Sequence, residues 1–199
     1  MSDEEILKEA HQLRVAFGLK RTIRYASKRD LAAHNESVAE HVFGLIFLAQ
    51  YFLLHEPIGP TLDAGKLSRI LLFHDFGEIK YGDAVTYHKT KEHEEREKEA
   101  AKEIFALLPP SLQRVGFDAW HEYEEHLSPE ALFANALDKI EPLFELLDPV
   151  NEQSIKRLKV TLEMHLGNKV KAAKNYPIMM RFVDVLTKDM VERSVFYEA

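Results

Sequence analysis

Helix punctuation constrains this chain more than any other feature. Ser37 is followed three residues later by Glu40, the reciprocal pattern in which a capping side chain and a third-position carboxylate satisfy each other's backbone N–H groups. Ser128-Pro129-Glu130 is a second start signal, with a capping side chain and proline at the first helical position. Pro57 with Gly59, Pro109, and Asp148-Pro149 act as stops. Between these marks apolar residues recur at helical spacing, and strand-like alternation is hard to find. With 46% hydrophobic residues and only 8 glycines and 8 prolines, 199 residues can bury one sizeable core. The expected fold is all-α, a single-domain compact helical bundle.

The sequence predicts an amphipathic helix over 3–17, carrying Ile6, Ala10, Leu13 and Phe17, then a basic connecting loop over 19–35. Helices are expected from Ser37 to about Leu54, over 62–76, through the charged run before Pro109, and over 111–125. Further helices are expected from Pro129 to about Leu147 and near 151–166 and 177–196. The net charge of −7, with both signs interspersed, argues against a nucleic-acid polymer as partner. The absence of cysteine excludes disulfides and thiolate metal sites. The acidic start "MSDEEILKEA" does not read as a signal peptide, and no apolar stretch is expected to reach the ~18 residues of a membrane span. A soluble cytoplasmic protein is the expectation.

One stretch does not fit a plain bundle. "LLFHDFGEIKYGD", residues 71–83, follows three apolar residues expected to hold the helix in the core, Leu71, Leu72 and Phe73, with His74 and Asp75, then Glu78 and Asp83. His41 shares an inward stripe with Val38, Val42, Leu45 and Ala49; taken alone it reads as a core histidine with a satisfied hydrogen bond. Asp138 sits mid-helix beside Ala134, Leu137 and Glu141, where aspartate is a poor helix former; alone it reads as exposed beside Lys139 or as half of a buried salt bridge. Together with His74 and Asp75 these residues supply two imidazoles and two carboxylates. That donor set suits Mn²⁺, Co²⁺, Fe²⁺ or Zn²⁺ better than Ca²⁺. Glu78, four residues beyond His74 and three beyond Asp75, is placed on the same helical face as a candidate general base or acid, and Asp83 follows Gly82 at a turn.

"ESVAEH" at 36–41, "HDFGEIKYGD" at 74–83 and "ALDKIEP" at 136–142 resemble the HD-domain metal-dependent phosphohydrolases, and within them the 5'-deoxynucleotidase branch. The resemblance spans roughly residues 10–145, and "WHEYEEHLSPEALFANALDK" belongs to it. It implies one HD domain over 1–199, with the helices after about residue 150 packing on its core. It implies one divalent ion, with Mg²⁺ added to the metals above, held by His41, His74, Asp75 and Asp138. Glu78 and Asp83 are then catalytic, and Arg24 and Tyr25 bind substrate, with Arg21 a neighbouring alternative for the phosphate. The implied reaction converts deoxyribonucleoside 5'-monophosphates to deoxyribonucleosides and phosphate. Tyr25 stands where many relatives carry tryptophan after glycine. A compact enzyme of this kind is compatible with a homodimer.

Two rival readings follow from the same residues: an HD phosphohydrolase acting on another nucleotide, and a noncatalytic helical module that keeps its metal. The remaining histidines (His34, His55, His88, His93, His121, His126 and His165) read as surface or packing residues. Trp120 reads as core, and "HKTKEHEEREKE" as a solvated helix face.

Overall fold

A computed structural model describes Thr22 and residues 36–82, 91–147 and 149–198. Its helices are α1 (Val38–His55), α2 (Ala64–Phe73), α3 (Glu78–Tyr81), α4 (Lys91–Ala106), α5 (Pro110–Glu124), α6 (Pro129–Glu145), α7 (Pro149–Arg157), α8 (Leu162–Ala173) and α9 (Pro177–Glu192). No strand occurs among the described residues. The expected helix over 3–17 and loop over 19–35 lie outside them, apart from Thr22, whose carbonyl accepts from the Val38 N–H at 3.0 Å.

Both start signals work locally. Ser37 Oγ accepts from the Glu40 N–H at 3.2 Å, while Glu40 Oε2 accepts from the Ser37 N–H at 2.6 Å. Ser128 Oγ accepts from the Ala131 N–H at 3.1 Å, with Pro129 leading α6. Two boundaries differ from expectation. The segment expected as one helix near 151–166 is two, because Lys159 takes a left-handed φ of 53° and Thr161 caps a new helix through the Met164 N–H. α6 ends at Glu145, short of the expected Leu147, and Pro149 opens α7, proline being suited to a helix's first position.

α6 is the central helix, packed against α1, α2, α5, α8 and α9. Ala131, Phe133, Ala134, Ala136, Leu137, Ile140 and Leu143 on it are all buried, so a wide apolar face meets its neighbours while Leu132 stays exposed on the narrow remaining side. Its small alanines allow close approach of α1 and α2. Leu67, Ile70, Leu71 and Phe73 anchor α2, whereas Leu72, expected in the core beside them, is 43% exposed on the outer face. Trp120 is core as expected. One expectation is overturned. The helix Val38–His55, with a mean hydropathy of 1.4, is long and apolar enough by length and composition to cross a membrane. Within this fold its buried side chains pack on α2, α6 and α9.

The far half is tied to the rest by a cap supplied from a distance. α9 has no side-chain cap of its own, and Glu56, buried just beyond α1, accepts from the Met179 N–H at 2.6 Å. Glu56→Ala removes a cap and a long-range tie together, and is expected to destabilise the fold by about 1–2 kcal/mol in chemical denaturation.

His165 is fully buried in α8, beside Phe196 and facing Thr187 of α9. Burial first, and then the Lys169 ammonium, push its pKa down to about 3 from 6.5. Its folded value lies below its unfolded value, so the unfolded chain binds the extra proton as pH falls. His165 is therefore expected to cost no stability above about pH 6.5 and roughly 1.4 kcal/mol per pH unit below it, until the folded pKa is reached. Denaturation midpoints of wild type and His165→Phe between pH 7 and pH 4.5 (roughly the window where the linkage acts) should converge as pH falls.

Candidate metal centre

The site is assembled from three parts of the bundle. α1 contributes His41, fully buried on the stripe that also carries Val38, Val42, Leu45 and Ala49. α6 contributes Asp138, one helical turn from Ala134 and Glu141. The end of α2 contributes His74, whose N–H closes the last helical bond onto the Ile70 carbonyl at 3.0 Å, and Asp75 directly after it.

Beyond His74 the chain winds more tightly. The Phe76 N–H bonds to Phe73 O, Glu78 N–H to Asp75 O at 3.0 Å, and Ile79 N–H to Phe76 O, all three residues apart, before α3 begins. Regular α-helical spacing would put Glu78 on the face of both His74 and Asp75. Three-residue turns bring positions i and i+3 into line instead, so Glu78 follows Asp75. Its carboxylate is buried, 9% exposed. Gly82 then takes φ 82°, a left-handed conformation that glycine adopts without strain. Asp83, Arg21, Arg24 and Tyr25 lie outside the described residues.

His41, His74 and Asp75 come together, and Asp138 lies against His41. His41 Nε2 lies 3.1 Å from Asp138 Oδ1 and 3.9 Å from Asp75 Oδ2. His74 Nε2 lies 3.1 Å from Asp75 Oδ1, and the two imidazole centroids are 5.8 Å apart. One donor atom each from His41, His74 and Asp75 falls within a 4.8 Å group. The His74 ring is oriented from behind, its Nδ1 lying 2.9 Å from the Leu71 carbonyl. A carbonyl only accepts, so Nδ1 carries a proton and Nε2 is the nitrogen turned toward Asp75. That buried Nε2 has no hydrogen-bond partner among the described residues. A nitrogen lone pair and a carboxylate oxygen at this distance repel unless a cation lies between them. The cation is a proton or a metal ion, and two nitrogens with two carboxylates fit a divalent transition metal.

Asp138 divides its work between its oxygens. Oδ2 accepts from Tyr123 OH at 2.9 Å and Lys139 Nζ at 2.7 Å, leaving Oδ1 toward His41. Burial works to raise its pKa, but the Lys139 ammonium and the His41 hydrogen bond hold it well below the usual carboxylate range. Burial, followed by the charges of Asp138 and Asp75, pushes the Tyr123 phenol up, so it stays a donor. Asp138 is buried, so the exposed alternative fails; it is ion-paired with Lys139 and also faces His41.

Behind His41 lies a group that the sequence reading did not assign. Glu141 Oε2 sits 3.0 Å from His41 Nδ1, and Glu36, His41 and Glu141 bring donor atoms within 4.8 Å, all three buried. The signal for Glu141 was present, since it follows Asp138 by three residues on one helix face. Tyr123 and Glu36 had no such signal, because their approach depends on tertiary packing.

The HD-domain family model matches residues 17–179. Human 5'-deoxynucleotidase HDDC2 is 32% identical over 136 residues, 67% of this chain and 64% of that protein. The 5'-deoxynucleotidase plu3092 of Photorhabdus laumondii is 28% identical over 102 residues, 45% of this chain and 52% of that one. The chain thus spans somewhat less than two thirds of the length of these curated relatives. A predicted metal-dependent phosphohydrolase of Magnetospirillum magnetotacticum superposes with a TM-score of 0.82 at 25% identity, covering 97% of this chain and 96% of its own. An HD-domain phosphohydrolase of Listeria innocua shares the fold, with a TM-score of 0.58 at 19% identity, over 92% of this chain and 86% of that one.

Tyr123→Phe keeps the ring that packs on His74 and removes only the donor to Asp138. Loss of such a supporting partner should lower Mn²⁺ affinity roughly 10- to 100-fold by calorimetric titration. An unchanged affinity would show that Lys139 alone holds Oδ2.

Proposed function

We propose, since this chain belongs to the HD-domain family, that it is a metal-dependent phosphomonoester hydrolase acting as a 5'-deoxynucleotidase. One observation carries the reading: buried His41 and His74 bring ring nitrogens within one 4.8 Å group with an Asp75 oxygen, and Asp138 Oδ1 lies 3.1 Å from His41 Nε2. His41, His74, Asp75 and Asp138 would hold a single divalent ion there, Mn²⁺, Co²⁺, Fe²⁺, Zn²⁺ or Mg²⁺. When bound, that ion supplies Lewis-acid charge to a phosphate oxygen and to the attacking water.

The chain's own residues do the rest. Glu78, buried one tight turn beyond Asp75, takes a proton from the attacking water as its oxygen bonds to phosphorus. The P–O5' bond breaks, and Asp83 assists proton delivery to the leaving O5' or anchors the nucleoside. Arg24 pairs with the phosphate in bidentate fashion, Arg21 being the neighbouring candidate, and Tyr25 contacts the base. A cation is needed there because Asp75, Asp138, Glu78 and Glu141 make the neighbourhood strongly negative. Lys139, held on Asp138, offsets part of that charge.

The net charge of −7 supports a small nucleotide over a nucleic-acid polymer. We further propose a cytoplasmic homodimer with no membrane partner, in which Phe43, Phe47 and Leu54 on the outer face of α1 are the exposed apolar side chains to be covered.

The test is phosphate release by metal-loaded protein from a panel of deoxyribonucleoside and ribonucleoside 5'-monophosphates. Glu78→Ala is expected to lower kcat by roughly 10²- to 10⁴-fold. Asp75→Ala should abolish turnover, and full activity in that variant would sink the metal-site assignment. Pyrophosphate in place of phosphate as product would assign the chain to a different nucleotide substrate.

A further inference from the structure

The ring of His41 has carboxylates on both sides. Nε2 faces Asp138 and Asp75 across the site, and Nδ1 faces Glu141 Oε2 at 3.0 Å on the side away from it. A neutral imidazole has one donor and one acceptor nitrogen, so the side that takes the proton decides which nitrogen has a lone pair for a cation.

The Glu141 carboxylate approaches this ring beside a glycine of α1. Gly44 lies three residues beyond His41, on the face that meets α6, and a Cβ there would stand 3.3 Å from Glu141 Oε1. That is tighter than an ordinary side-chain contact. A glycine in mid-helix costs about 1 kcal/mol relative to alanine. The space it leaves is filled by a carboxylate that is 2% exposed.

We propose that Glu141, seated in the notch left by Gly44, is a positioning residue. It accepts the Nδ1 proton of His41 and so delivers Nε2, lone pair outward, to the point shared with Asp75 and Asp138. The proposal rests on the reading of that point as a metal site. Glu36, the other buried carboxylate of the group, is the rival acceptor; the 3.0 Å approach of Glu141 to Nδ1, from the helix that also carries Asp138, favours Glu141.

The test uses Zn²⁺ as probe with four variants: Glu141→Gln, Glu141→Leu, Gly44→Ala and Glu36→Gln. Two readouts are taken, Zn²⁺ affinity by competition with a chromophoric chelator and the NMR resonance of the His41 Nδ1 proton. In wild type that proton should be shifted downfield and protected from exchange. Glu141→Leu should lose the protected resonance and bind Zn²⁺ roughly 10- to 100-fold more weakly. Gly44→Ala should move both readouts the same way by less, since it displaces the carboxylate without removing it. Glu141→Gln should restore most of both, because its amide oxygen still accepts. Glu36→Gln should leave the resonance in place. An unchanged resonance and affinity in Glu141→Leu overturns the proposal, as does a loss in Glu141→Gln equal to that in Glu141→Leu, or loss of the resonance in Glu36→Gln alone. A wild-type protein that takes up no Zn²⁺ removes the metal reading instead, and the metal-free resonance still reports whether Glu141 holds the ring.

Discussion

The carboxylate of Asp138 is the interaction on which the site depends. An aspartate in the middle of a buried helix costs free energy unless both oxygens are satisfied. Here one oxygen is held by Tyr123 from α5 and Lys139 from α6 itself, and the other faces His41 from α1. Removing either set would leave a buried charge short of partners, the kind of change that costs several kcal/mol in proteins generally. Helices α1, α5 and α6 are thus tied by the same atoms that form the candidate site.

That arrangement explains the composition of α6. A helix that must receive α1 and α2 closely while presenting an acidic side chain between them cannot be bulky on that face. Ala131 and Ala134, seven and four residues before Asp138, give the clearance, while Phe133, Leu137, Ile140 and Leu143 fill the remaining core. Pro142 follows Asp138 by four residues and has no N–H to offer the Asp138 carbonyl, so the helical ladder is interrupted just beyond the site. A cation bound among these acidic groups would relieve their mutual repulsion, so ion binding and folding stability are expected to be linked.

Much of this was legible in one dimension. Ser37 and Glu40 announce α1, and Ser128-Pro129 announces α6, because capping chemistry is local and needs no tertiary partner. The inward stripe containing His41 follows from helical periodicity, and the His74-Asp75 pair drew attention as titratable residues behind an apolar run. Periodicity failed where the geometry ceased to be that of a regular α-helix. The turn over 74–77 winds by three residues, which realigns Glu78 with Asp75, and the left-handed Lys159 splits what reads as one helix into α7 and α8. Leu72 was assigned to the core by composition, yet a helix packed on one side leaves its other face to solvent.

By itself the sequence determined the helical class, the main boundaries and a list of side chains able to ligate, since these depend on propensity, capping and donor chemistry within a few residues of each position. Tertiary structure decided which of them meet. His41 and Asp138 are 97 residues apart in the chain and 3.1 Å apart in space. Only packing of α1 on α6 makes them neighbours. The same packing brings Tyr123 behind Asp138 and Glu141 behind His41, beside Gly44 of α1. No local rule reports such contacts, because their free energy comes from burying surfaces of distant segments together.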